Sequence, residues 1–252
     1  MKLTMKRAFA LVFVLSLMMT SITLAKEPAV EGDVLSVTTY VNSSTLGETA
    51  SIRLQADALV AEADTESLLA DAVTGIVDYS VPISVRESVI ASAEFIPVIG
   101  VAEDEIEFEV SSTVQKMGEL TRDNGETANL YVAVAVAANV KEDEKYKTQY
   151  GIMAWACVYW IDISGTENEL HAAAGQWEIE NVVVTNRQLR YGTTDIFWAL
   201  WTDGPTVKYP TSNWAYYEDS STYTGFVLRC ETRIDVVNLG TVICNVGSRI
   251  TT

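Results

Sequence analysis

The chain predicts a mainly β fold: an antiparallel β-sandwich, Ig-like or jelly-roll-like, preceded by an acidic, partly helical N-terminal extension. Three observations carry that prediction. After residue 105, apolar and polar residues alternate at period two in one segment after another. Short polar stretches with Gly, Asn, Asp and Ser separate those segments, as turns do. All six tryptophans lie beyond residue 150, whereas residues 26–118 hold only Tyr40, Tyr79, Phe95 and Phe108 as aromatics. Large rings dominate core energetics, so the second part is the one equipped to bury a dense core.

The N-terminus reads as an export signal. Lys2, Lys6 and Arg7 precede the apolar run "AFALVFVLSLMM", and "SITLA" ends on the small residue Ala25. The run is about a dozen residues, short of the ~20 that a membrane-spanning helix needs. Three segments are therefore expected: a signal peptide at 1–25, an acidic extension at 26–102, and a sandwich domain at 103–252. The expected location is secreted or attached to the cell envelope, with no membrane span after cleavage.

The formal net charge is −17. Residues 26–118 alone hold seventeen acidic against four basic side chains. Such a chain is repelled by phosphate backbones, which excludes nucleic acid as a partner.

Within the extension, "VLSVTTYV" at 34–41 reads as a short strand. Residues 51–73 read as helix, with Ile52, Ala56, Leu59 and Ala63 on one stripe and Thr65 capping a second run that carries Leu68, Leu69, Ala72 and Val73. An acidic, alanine-rich opposite face points to a solvated surface helix. Residues 76–101 are apolar and broken by Pro82 and Pro97, as short strands or a connection would be.

The sandwich reading starts at "IEFEVSSTVQ", residues 106–115, where Ile106, Phe108, Val110 and Val114 alternate with an acidic and polar face. Asn124-Gly125 marks a turn. "YVAVAVAANV" at 131–140 follows, with Val132, Val134 and Val136 on one face and Ala133, Ala135 and Ala137 on the other. Both faces are apolar, so both are expected to be covered. With the charged turn "KEDEKYK" centred near 144, Val136 falls opposite Ile152 and Ala133 opposite Trp155, and the alanines make room for Met153, Trp155 and Tyr159. Further strands are expected at 151–163, 181–192, 226–237 and 240–250.

Cys157, Cys230 and Cys244 lie in apolar, strand-like surroundings. A turn centred on Leu239 sets Cys230 opposite Ser248 and Cys244 opposite Ile234, too far out of step for a bridge. There is no C-x-x-C and a single histidine, His171, so no metal site and no cofactor are expected. The acidic runs at 103–105 and 142–144 lack the spacing of a calcium loop and read as solvated turns. No nucleophile motif accompanies His171, and no catalytic residue is assigned.

The most informative region is 197–223, where rings crowd among Gly, Pro, Ser, Thr and Asp. Trp198, Trp201, Asp203, Asn213, Trp214, Tyr216, Tyr217 and Asp219 form the candidate ligand-binding set. Rings that cover the C–H face of a sugar, with carboxylates and amides taking its hydroxyls, suit a glycan. Large rings are more often buried, so the same residues also read as a cap on the sandwich. The expected function is a non-catalytic extracellular or envelope binding module whose ligand is a glycan or a surface protein. The alternatives are a structural subunit that self-associates through strand edges and a secreted hydrolase without a recognisable motif.

Overall fold

The computed structural model describes residues 43–101, 106–139, 151–162, 168–202, 204–219, 224–225 and 227–249. The expected signal peptide, the strand at 34–41, the acidic runs at 103–105 and 142–144, and Asp203 lie outside them.

Three helices come first: α1 (Ser43–Glu62), α2 (Thr65–Thr74) and α3 (Ile83–Ser88). The strands are β1 (Val89–Pro97), β2 (Glu109–Thr121), β3 (Thr127–Ala138), β4 (Gly151–Asp162), β5 (Asn168–Glu180), β6 (Val184–Thr193), β7 (Thr206–Lys208), β8 (Trp214–Glu218), β9 (Thr224–Gly225), β10 (Val227–Val236) and β11 (Gly240–Arg249). They form two antiparallel sheets. Sheet A has the order β1-β11-β10-β6-β7, and sheet B the order β2-β3-β4-β5-β8, with β9 also paired to β5. The protein is an antiparallel β-sandwich.

The alternation of β3 is resolved by two different cores. Ala133, Ala135 and Ala137 face sheet A and pack with Cys230, Ile234, Val242 and Cys244. Val132, Val134 and Val136 face outward and are covered by Leu68, Leu69 and Ala72 of α2. Both faces are buried, as two apolar faces require. The observed register differs from the expected one by three residues. Val136 pairs with Trp155, Val134 with Cys157, and Ala133 with Val158. The pairing is centred later in the chain than the charged run suggests, and an odd slip exchanges the faces. The alanines therefore make room for the opposing sheet rather than for Trp155 and Tyr159. The approach is close: the thiols of Cys244 and Cys230 point across the sandwich at the carbonyls of Ala135 and Ala174, each at 3.6 Å.

The helices are also less solvated than their composition suggests. Ala56 of α1 is fully buried and packs with Leu120, Leu130 and Ile161. Gln55 clamps α1 to the end of β2, donating to the Thr121 carbonyl and accepting from its amide, both at 2.9 Å. Asp64, not Thr65, caps α2 by accepting from the Ser67 amide. Ser111 and Thr113 on β2 donate to the Ala72 and Ile76 carbonyls, so this polar face serves the helix layer.

The expected division near residue 102 does not separate the sandwich from what precedes it. β1 lies inside the expected extension, yet it pairs along its whole length with β11 from Val89↔Ser248 to Pro97↔Gly240. The extension contributes the edge strand of sheet A, and the two long helices cover sheet B.

In the last hairpin Cys230 pairs with Val246 and Cys244 with Thr232, so the turn centres on Asn238 rather than Leu239. The two cysteines are two residues out of step rather than four. All three thiols are free and buried. Burial pushes the thiols of Cys157 and Cys230 up, and that of Cys244 up to about 12.

Candidate functional site

The outer face of sheet A carries a cluster of charged side chains and rings. Arg229, Glu231 and Arg233 alternate along β10 and so share one face. Glu231 lies beside Arg190 on β6 and Asn245 on β11. Its carboxylate is only 2% exposed and takes three guanidinium groups. Oε1 accepts from Arg190 at 2.9 Å and from Arg233 at 2.6 Å, and Oε2 accepts from Arg229 at 2.8 Å. Arg229 also donates to Asn245 Oδ1 at 2.7 Å and to the Trp198 carbonyl at 3.2 Å. Arg190 and Arg233 are partly exposed beside it, at 22% and 32% of their side-chain surface.

Two tryptophans complete the cluster. The Arg229 guanidinium lies 5.3 Å from the Trp198 ring centroid and 5.0 Å from that of Trp201. Arg190 lies 5.5 Å from the Trp201 ring. Trp198, Arg229, Trp201 and Arg190 thus form a ladder of alternating rings and cations, each contact worth roughly 0.5–2 kcal/mol depending on its hydration. Gly247 makes the seat: a Cβ there would collide with both the Leu228 carbonyl and the Trp198 ring.

The ladder holds a turn, residues 195–202. Trp198 has φ 64°, a left-handed conformation that a bulky side chain adopts only when its surroundings impose it. Asp195 Oδ1 accepts from the Ala199 amide at 2.7 Å and the Leu200 amide at 3.2 Å. The Asp195 amide donates to the Leu200 carbonyl and the Trp198 amide to the Asp195 carbonyl. Thr193 and Thr202 join hydroxyls at the neck, 2.8 Å apart. The tip projects three apolar side chains into water: Ile196 is 55% exposed, Phe197 80% and Leu200 70%.

Of the eight candidate residues from the sequence, Asp203 lies outside the described residues, and the other seven do not gather in one place. Trp198 and Trp201 belong to the ladder. Trp214 and Tyr216 lie on β8, a strand rather than a loop, and pack on the opposite face of the sandwich with the α2 layer. Tyr216 meets Tyr159 edge-on, centroids 5.9 Å apart. Tyr217 turns toward the inter-sheet core, with the Lys208 ammonium 5.4 Å from its ring. Asn213 is exposed and accepts from Arg187 at 2.6 Å. Asp219 is buried. Every one of the five candidate rings is half-buried. Arg190, Arg229, Glu231 and Arg233 were missed by the sequence reading. The signal for the last three was the R-x-E-x-R spacing in "LRCETRID", which sets three charges on one strand face.

A second polar cluster lies under α1. His171 on β5 is 2% exposed. Its Nε2 sits 3.2 Å from Asp57 Oδ1, off line for a hydrogen bond, and Nδ1 has no partner. Arg53 beside it binds Glu169 and the Asp219 carbonyl. Burial holds the His171 pKa below its ordinary value, with Arg53 pushing the same way and Asp57 and Asp219 opposing. Above pH ~6.5 neither the folded nor the unfolded chain charges this ring. Below it the unfolded chain takes the proton first, so the stabilisation is lost as pH falls. Urea melts between about pH 7.5 and 5.5 should show stability falling with acidification, and His171→Gln should flatten that slope.

Compared with protein-family models, curated proteins and solved structures, the chain matches none. Among the described residues no helix is long and apolar enough to cross a membrane, and no group of His, Cys, Asp and Glu could hold a metal ion.

Proposed function

We propose that this chain is an exported, non-catalytic binding module whose contact surface is the outer face of sheet A with the 195–202 turn. One observation carries the reading: three large apolar side chains stand in water on a turn that hydrogen bonds and a ring–cation ladder hold fixed. Exposed apolar groups on a folded protein mark contact surfaces when they cluster. A contact surface ordered before binding loses less entropy when it engages. Around the tip, Arg190 and Arg233 offer guanidinium donors for carboxylate or sulfate groups. The ligand this surface suits is therefore apolar at its centre and acidic at its rim, as an acidic surface protein or an acidic glycan is.

The test uses the intact exported protein against a cell-envelope preparation and a glycan array. Phe197→Asp should weaken retention about tenfold or more while leaving the melting temperature unchanged, because Phe197 packs on nothing that folding needs. Retention equal to the wild type on both probes would discard this surface.

A further inference from the structure

The surface on sheet A has a counterpart on the other side of the same molecule. Between α1, α2 and β2 runs an open groove of about 290 Å³, lined by Leu59, Ala63, Leu68 and Met117 with Ser67 and Gln115 among them. Glu62 and Asp64 stand exposed at its rim. Lys116, also at the rim, is taken by Glu119 at 2.7 Å. Residues 50–74 carry five carboxylates and one guanidinium, and that guanidinium, Arg53, is paired with Glu169. The groove thus offers an apolar patch beside two exposed carboxylates, Glu62 and Asp64. The 195–202 turn is apolar at its tip and stands on a cluster of three arginines that share one buried carboxylate.

The two surfaces match in charge and chemistry, and they lie on opposite layers of the sandwich, one on sheet A and the other over sheet B. They cannot meet within one molecule. We infer that the Ile196–Leu200 tip of one copy docks in the α1–α2 groove of the next, so that the protein associates head to tail with itself. This rests on the reading of the turn as a contact surface and names a second copy as its partner. Contacts between two different patches propagate: they close into a ring if the rotation between copies permits, and otherwise extend as a chain. The size of the tip suits a contact that forms at high local concentration, as on a cell surface, where a weak contact is repeated many times. The strong net negative charge keeps dilute copies apart, and the local complementarity acts once they approach.

Sedimentation velocity of the intact exported protein over a concentration series tests this. The wild type should show mass growing with concentration. Phe197→Asp removes the tip and Glu62→Arg reverses the rim. Each should weaken association about tenfold or more on its own, with melting temperatures unchanged, since both side chains are exposed. Mixing the two variants is the decisive arm. The first keeps an intact groove and the second an intact tip, so the mixture should form dimers and stop there. Glu62→Arg assembling like the wild type would overturn the groove as the docking site. A wild type that stays monomeric throughout would overturn self-association. In that case, loss of envelope, glycan or anionic-vesicle binding on Phe197→Asp would still uphold the turn as a contact surface for another partner. Retention of all three would end both readings.

Discussion

Glu231→Ala should lower the stability of the protein by about 3 kcal/mol, the lower end of what breaking a buried ion pair costs. The carboxylate is 2% exposed and is shared by Arg190, Arg229 and Arg233. Removing it leaves three cations side by side on one sheet face with no shared acceptor. Partial exposure of the arginines lets water recover part of the loss, which sets the lower end. The melting temperature should fall by about 6–12 °C in a chain of this size. Glu231→Gln keeps the shape and one acceptor oxygen, and should fall by less. A fall below ~1 kcal/mol for the alanine variant would show that the arginines are solvated independently and that no ladder is held together by this carboxylate.

Trp177→Ala should cost about 3–5 kcal/mol, the largest effect expected of a single truncation here. The ring is fully buried between the sheets. Its neighbours cannot close the gap easily. A Cβ built on Gly175 would stand 2.5 Å from Thr232 Cγ2 and 3.2 Å from Trp177 Cη2, so the sheets already touch on one side of the ring. The Trp177 amide is also bonded to the Asn213 carbonyl at 2.9 Å, which fixes the backbone beneath it. The cavity therefore persists, and cavities that do not collapse give the large losses. Chemical denaturation checks it, and an unchanged m-value would show that the loss is in packing rather than in the extent of the fold.

How much of this was legible in the sequence depends on what each segment had to signal. β3, β4, β10 and β11 announced themselves because valine, isoleucine and aromatic residues repeat at period two. β5 did not. Its centre, "AAAGQ" at 172–176, pairs with both β4 and β8, yet four of its five residues are Ala or Gly, which carry little strand preference. Ala173 and Gly175 face the other sheet and are small because the sheets come close there, a requirement that only the partner sheet reveals, whereas Ala172 and Ala174 face the helix layer. β8 was hidden because Trp214, Tyr216 and Tyr217 sit among turn-forming residues and looked like a loop.

The site was legible only in half. Trp198 and Trp201 stood out by ring content. Their partners did not, because Arg229, Glu231 and Arg233 look like ordinary solvent-facing positions on a strand, and Trp198 lies 31 residues before Arg229. The register between β3 and β4 failed for a related reason. A turn placed by charge alone carries no length information, and the pairing is set instead by what the alanine face must meet across the sandwich.

The central claim is that the Trp198–Arg229–Trp201–Arg190 ladder holds an apolar tip rigid and exposed. Nitrogen-15 relaxation of the backbone amides of Ile196, Phe197, Trp198, Ala199 and Leu200 tests it most directly. Order parameters near about 0.85, equal to those of β10, are the predicted result. Values below about 0.6 across these five amides would contradict it, and the turn would then be a loose loop rather than a preformed contact surface.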